Sequence, residues 1–161
     1  MANYIADYSN YLEIERRASD NTVASYVRDV TQFSRYLSEE EGTDLAHVEQ
    51  EQVENYLHYM TNKGKSLSSV ARALASLKSF YHYMVRVGAV KEEPTKNTAP
   101  IRSERKLPQI LTGEEVELFL EQPQCVDAKG FRDRAMLELL YATGIRVSEL
   151  INLDVSDLNL Q

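Results

Sequence analysis

The sequence is poor in the residues that build staples and metal sites. Its single cysteine, Cys125, has no partner for an internal disulfide. Three histidines, His47, His58 and His82, are scattered without metal-ligand spacing, so no metal and no cofactor are expected. No apolar run approaches the roughly 20 residues that a membrane span requires. The N-terminus carries acids and tyrosines where a signal peptide would place basic and then apolar residues. The expectation is a cytoplasmic chain with no membrane partner. Positive charge is scarce too: 18 Lys and Arg stand against 25 Asp and Glu, a net charge of −7. Such a total argues against a nucleic-acid binder, because Lys and Arg contacts to phosphate dominate those affinities.

The average conceals a division. From Tyr36 to Glu54 the chain holds seven acids (Glu39, Glu40, Glu41, Asp44, Glu49, Glu51, Glu54) and no Lys or Arg. From Asn55 to Lys91 it holds six bases (Lys63, Lys65, Arg72, Lys78, Arg86, Lys91) and no acid. Segregation of this kind gives a molecule a positive side that a global count hides.

With 161 residues and 43% hydrophobic content, the chain can fill one good core or two small ones. Helical periodicity dominates. Asn3 to Arg17 reads as a first, weakly capped helix, with Ile5, Tyr8 and Leu12 inward and either Tyr11 or Glu15 at the edge of the stripe. Ser19 caps a second helix running to about Glu40, with Val23, Tyr26, Val27, Val30, Phe33, Ser34 and Leu37 on one side and Gly42 beyond its end. A third spans about Gln50 to Asn62, with Val53, Tyr56, Leu57 and Met60 inward. Ser66 or Ser68 opens a fourth, whose buried face is Val70, Leu74, Leu77, Tyr81 and Met84. Four such helices joined by short turns predict a bundle over residues 1–90.

Residues 91–106 hold Pro94, Pro100, mixed charges and few apolar residues, and read as an interdomain linker. A second unit, 107–161, follows. Thr112 and Glu115 have capping-box spacing for a helix to about Glu121. Gly130 to Thr143 predicts another, with Phe131, Ala135, Met136, Leu139 and Leu140 apolar, and Val147 to Leu153 a short one. A strand could begin near Asn159. Helices with apolar faces and no sheet to pack on read as an incomplete domain.

On a helical wheel the outer face of the second helix carries Asn21, Ser25, Arg28, Gln32 and Arg35, and Thr22 beside Asn21 is a further candidate DNA contact. The fourth presents Ser68, Arg72, Ala75, Ser79 and Arg86, with Ser76 and Lys78 at the flanks. Small side chains let a helix sink into a major groove, where Arg pairs with guanine or grips phosphate and Asn or Gln reads adenine. Lys63 and Lys65, in the preceding turn, are placed to meet the DNA backbone and position the protein.

The block Leu139-Leu140-Tyr141-Ala142-Thr143-Gly144-Ile145-Arg146-Val147-Ser148-Glu149-Leu150 resembles the signature around the first catalytic arginine of tyrosine recombinases, the phage integrase family and its Xer branch. Ser19-Asp20-Asn21-Thr22-Val23 with Tyr26, Asp29, Val30 and Phe33 is similar to the opening of that family's core-binding domain. Further likeness lies in Leu74, Leu77, Lys78, Phe80 and Tyr81, in Lys106-Leu107-Pro108 leading to Leu111-Thr112 with Glu114 and Glu115, and in Asn152-Leu153 with Asp157.

The resemblance implies an all-α, SAM-like core-binding bundle followed by the first helices of a truncated catalytic domain. It also implies DNA recombination or integration without metal: a tyrosine attacks a phosphodiester, and a DNA hydroxyl later reverses the phosphotyrosyl link. Arg146 would hold the non-bridging oxygens of the scissile phosphate, and Glu149 would orient its guanidinium. Double-stranded DNA and further recombinase protomers in a synaptic complex are the implied partners. The family's later lysine, His-x-x-Arg block and nucleophilic tyrosine have no counterpart here, so this chain alone is expected to cleave nothing. Two other readings stay open: a non-catalytic DNA-binding regulatory protein, and a helical protein-interaction module. Self-association through the incomplete second unit is a further expectation.

Overall fold

Five helix starts in this chain are set by short polar side chains, Asn3, Ser19, Ser66, Thr112 and Asp127, that accept otherwise unpaired backbone N–H groups. The fold comes from a computed structural model, which describes residues 3–99 and 109–157. Among the described residues it holds seven α-helices and no strand. The chain divides into two units, Met1–Arg105 and Lys106–Gln161.

In the first unit, α1 spans Tyr4–Asn10, with Asn3 accepting from the Ala6 amide, and widens into a π-helical turn at Tyr11–Glu15. Tyr8, Tyr11 and Leu12 are buried, whereas Glu15 is exposed, which places Tyr11 on the core side of the stripe. Helix α2, Asp20–Tyr36, starts at Ser19, whose hydroxyl accepts from the Thr22 amide. It too ends in a π-helical turn, Leu37–Glu41, and Gly42 closes it at φ 62°, a left-handed conformation in which a side chain would be strained. Helix α3 is Gln50–Asn62 and buries Val53, Tyr56, Leu57 and Met60, the four residues its period singles out. Helix α4, Leu67–Arg86, is capped by Ser66 and not Ser68.

Helix α2 lies most extensively against α4, with α1 and α3 completing the bundle. The five expected core positions of α4 are buried, joined by Ala73, Ser76, Phe80 and Tyr83. Aromatic side chains fill much of the interior: Tyr8 meets Phe80 edge-on at 5.2 Å between centroids, and Phe33 meets Tyr56 at 4.9 Å. Rings held this way add to the stabilisation from burial itself. The Tyr81 hydroxyl donates to the Leu45 carbonyl, so the loop before α3 is tied to the same core.

Residues 91–99 do not stand off as composition predicts. Thr95 and Thr98 are buried, His82 pairs with Glu93, and the Lys78 ammonium donates to the Thr98 carbonyl. The segment gains its burial by lying against α4, where its own composition offers none. Residues 100–106 of the expected linker, with the Leu107-Pro108 pair, lie outside the described residues, as does the expected strand near Asn159.

In the second unit the Thr112–Glu115 capping box forms reciprocally at the start of α5, Gly113–Leu120. Helix α6, Ala128–Thr143, is capped by Asp127 and ends at Gly144 with φ 67°. Gly130 sits where the Gln124 carbonyl comes so near that an added Cβ would overlap it. Helix α7, Val147–Ile151, and a 3-10 turn at Val155–Asp157 follow. Of this unit's described hydrophobic residues Leu150 alone is buried, and Phe131, Leu118 and Phe119 are exposed.

Candidate nucleic-acid interface

The α2 residues selected by the wheel fall into two groups. Asn21, Arg28, Gln32 and Arg35 are all exposed. Thr22 and Ser25 are engaged locally: the Thr22 hydroxyl meets Ser19 in the cap, and the Ser25 hydroxyl donates to the Thr22 carbonyl. Such back-bonding uses the hydroxyl proton but leaves oxygen lone pairs free.

The turn after α3 brings Lys63 and Lys65 to the C-terminal half of α2. An open groove of about 480 Å³ is lined by Gln32, Arg35, Lys63 and Lys65 together with Tyr36 and Tyr59, with Glu39 as its acid. The Lys63 ammonium lies 5.4 Å from the centre of the Tyr59 ring, a cation–π approach. Four of the predicted contact residues, from two elements, therefore share one concave surface.

Helix α4 is less uniform than its wheel suggests. Ser68 is exposed. Ser76, expected at the flank, is instead fully buried, because α2 packs over it and its hydroxyl donates to Asp29 at 2.9 Å. Ser79, expected outward, is half-buried and accepts a hydrogen bond from the Tyr8 hydroxyl at 2.8 Å, since α1 crosses there. Lys78 is half-buried and held by the Thr98 carbonyl. Arg86 pairs with Glu15 across the bundle and lies over the Tyr11 ring.

Arg72 is the residue with the most elaborate setting. Its Nε donates to Asp29 Oδ2 at 3.1 Å and its Nη2 to Asp29 Oδ1 at 3.2 Å. The carboxylate is almost wholly buried, with 3% of its side chain exposed, while 51% of the arginine side chain reaches solvent. Hydrogen bonding to Asp29, then its charge, raises the guanidinium above its already high ordinary value. Sequence reasoning named Arg72 as a DNA contact but gave Asp29 no role at the site. A signal existed: Asp29 sits in the apolar stripe between Tyr26 and Phe33, where a charge needs a partner.

In the second unit Arg146 is the N-cap residue of α7, and 83% of its side chain is exposed. Its backbone amide donates to Glu149 Oε2 at 2.8 Å, and its Nη1 to Glu149 Oε1 at 3.0 Å. Glu149 thus caps the helix and contacts the guanidinium with the same carboxylate. Among the described residues no cluster of His, Cys, Asp and Glu could hold a metal ion, and no helix is long and apolar enough to cross a membrane.

Comparison with known proteins agrees with this architecture. The phage integrase N-terminal SAM-like domain model matches residues 5–88, and the phage integrase family model matches residues 109–161. The tyrosine recombinase XerD of Staphylococcus epidermidis is 36% identical over 160 residues, 99% of this chain and 54% of that protein. Among solved structures, a lambda integrase dimer bound to a COC' core site superposes with a TM-score of 0.76 at 18% identity, covering 97% of this chain and 42% of that one. The Tn1549 transposon integrase in complex with circular intermediate DNA gives 0.68 at 20% identity, covering 100% of this chain and 52% of the other. The fold is that of an all-helical, SAM-like integrase N-terminal domain with the start of a second domain. The chain belongs to the phage integrase family of tyrosine recombinases. It spans about half the length of the curated relatives it matches.

Proposed function

We propose that this chain is the DNA-gripping part of a site-specific tyrosine recombinase, binding double-stranded DNA with its first unit in recombination or integration. The observation that carries the reading is the groove in which Gln32, Arg35, Lys63 and Lys65 converge beside the outer face of α2. Three cations on one concave surface meet phosphate oxygens, and Gln32 adds a group able to pair with a base edge. Asn21 and Arg28 extend the surface along α2, and Ser68 and Arg72 extend it on α4. Two of the solved structures with this fold are described as bound to DNA, which supports the same use here.

Catalysis belongs to the larger assembly. Arg146 would hold the scissile phosphate, and Glu149 would steer it through the Nη1 hydrogen bond. No tyrosine of this chain is assigned as the nucleophile: Tyr8, Tyr56 and Tyr81 are core residues, and none of the ten, the exposed Tyr141 included, stands in the sequence context of the family's nucleophile. Partner protomers would join in a synaptic complex.

The reading is tested by titrating the chain with a short duplex over a range of salt. Log affinity should fall linearly with log salt. Changing Lys63→Glu and Lys65→Glu together should make that slope shallower by about 1 for each phosphate no longer neutralised. An unchanged slope would remove the groove from the interface, and a wild-type chain that binds no duplex would refute the proposal.

A further inference from the structure

A buried carboxylate needs a reason, because taking a charge out of water is costly even when a partner is present, and an apolar residue often serves the core as well. Asp29 is such a group. It accepts from Arg72 Nε, Arg72 Nη2 and the Ser76 hydroxyl, so both carboxylate oxygens are engaged. The pair is lopsided: Asp29 is nearly inaccessible, while half of the Arg72 side chain stays in solvent. The asymmetry leaves the outer end of the guanidinium in contact with solvent.

The way the guanidinium is held matters. Asp29 takes its Nε and Nη2 side, which uses two of the five N–H donors of an arginine. The end formed by Nη1 and the second Nη2 hydrogen is a parallel donor pair, the fork that fits guanine O6 and N7. On α4 the helical neighbours of Arg72 are small: Ser68 four residues before and Ala75 three after, both exposed. Nothing bulky at these two positions of its own helix therefore keeps that fork from a groove floor. A fork fixed in plane before DNA arrives loses little rotamer freedom on binding and discriminates among acceptor geometries; a mobile lysine does neither.

We propose that Asp29 is a positioning residue that locks Arg72 side-on, so that the free end of its guanidinium reads a guanine, and that Arg72 sets sequence preference more than bulk affinity. The proposal rests on the reading of the first unit as a DNA-binding surface. It separates the cations by task. Lys63 and Lys65 supply salt-dependent grip, and Arg72 supplies discrimination.

The test uses the whole 161-residue chain. Duplexes are enriched from a randomised pool, and preference is read as the ratio of Kd between the best duplex and the same duplex with one G·C pair exchanged for A·T. Asp29→Asn keeps the shape and removes the charge; Arg72→Lys keeps the charge and removes the fork. Both should lower the ratio at the same base pair about tenfold, while the salt slope stays near that of the wild type. Ser76→Ala, which removes one of the bonds that fix Asp29, should lower it less and at the same pair. If Asp29→Asn fails to fold by circular dichroism, Arg72→Lys and Ser76→Ala carry the decision. Affinity lost equally on all sequences, or a ratio unchanged in the folded variants, would overturn the proposal and leave Asp29 a structural partner. A wild-type chain without salt-dependent duplex binding would instead refute the DNA-binding reading beneath it.

Discussion

The two units are built from the same kind of helix and differ in what happens to the apolar side chains. In the first, one cluster runs from Tyr8 to Met84 and draws on all four helices. In the second, among the described residues, Leu150 is buried while Leu118, Phe119, Phe131 and Tyr141 are each more than half exposed. Local signals are as good in both: Ser19 and Ser66 cap α2 and α4, and Thr112 and Asp127 cap α5 and α6. Caps and propensities decide where a helix begins and ends, but most helical stability comes from packing an amphipathic face. The first unit has both kinds of instruction in agreement; the second has mainly the local kind.

The largest expected effect breaks or keeps this contrast directly. Phe33 is fully buried and touches Tyr56 and Tyr81, whereas Phe131 is 61% exposed. Phe33→Ala should cost about 3–5 kcal/mol of unfolding free energy. Phe131→Ala should stay within about 0.5 kcal/mol. Urea denaturation followed by circular dichroism measures both. Comparable losses would mean that the second unit has a core of its own around Phe131.

Alkaline pH should also single out the first unit. Burial pushes the Tyr8 and Tyr56 phenols up from 10.0 to about 12, with Tyr8 partly relieved by its bond to Ser79. Both residues are at most 3% exposed. For a group whose folded pKa lies above its unfolded one, the stability it contributes is complete below the unfolded value and is lost as pH rises through the folded one. Each ring should therefore take roughly 2–3 kcal/mol from the fold as pH climbs from about 10 past about 12. Tyrosinate absorbance and helical dichroism, recorded together, should change in concert. Ionisation of these rings with helicity intact would show that water reaches the core.

Much of this was legible from periodicity. The bounds of α3, its four buried residues, the Ser19 and Thr112 caps and the Gly42 and Gly144 stops all follow from spacing and residue type. What a wheel cannot supply is the neighbour across the groove. It placed Ser79 outward and Ser76 at the flank, yet α2 covers Ser76 and α1 packs over Ser79. Composition left residues 91–99 without a core, yet Thr95 and Thr98 are buried and α4 holds the segment through Lys78 and His82. The link between Asp29 and Arg72 joins residues 43 positions apart, beyond any local pattern. The convergence of Gln32 and Arg35 with Lys63 and Lys65 was hidden for the same reason.

The smallest expected effect concerns the other arginine, and it sharpens the contrast between the units most finely. Arg72 and Arg146 each donate to a carboxylate, but Asp29 is buried and comes from another helix, while Glu149 is half exposed and lies three residues along the chain. An exposed pair of the second kind contributes about 0–1 kcal/mol, since water solvates both charges nearly as well apart as together. The same Glu149 carboxylate also caps the Arg146 amide, a bond that survives removal of the side chain. Arg146→Ala should therefore change stability by no more than about 0.5 kcal/mol. Duplex affinity should be equally indifferent, because a group that acts on charge developing in a transition state contributes little to ground-state binding. Thermal melting and a duplex titration at one salt concentration check both statements. A large loss of affinity would make Arg146 a ground-state DNA contact, and the second unit would then share the grip assigned to the first.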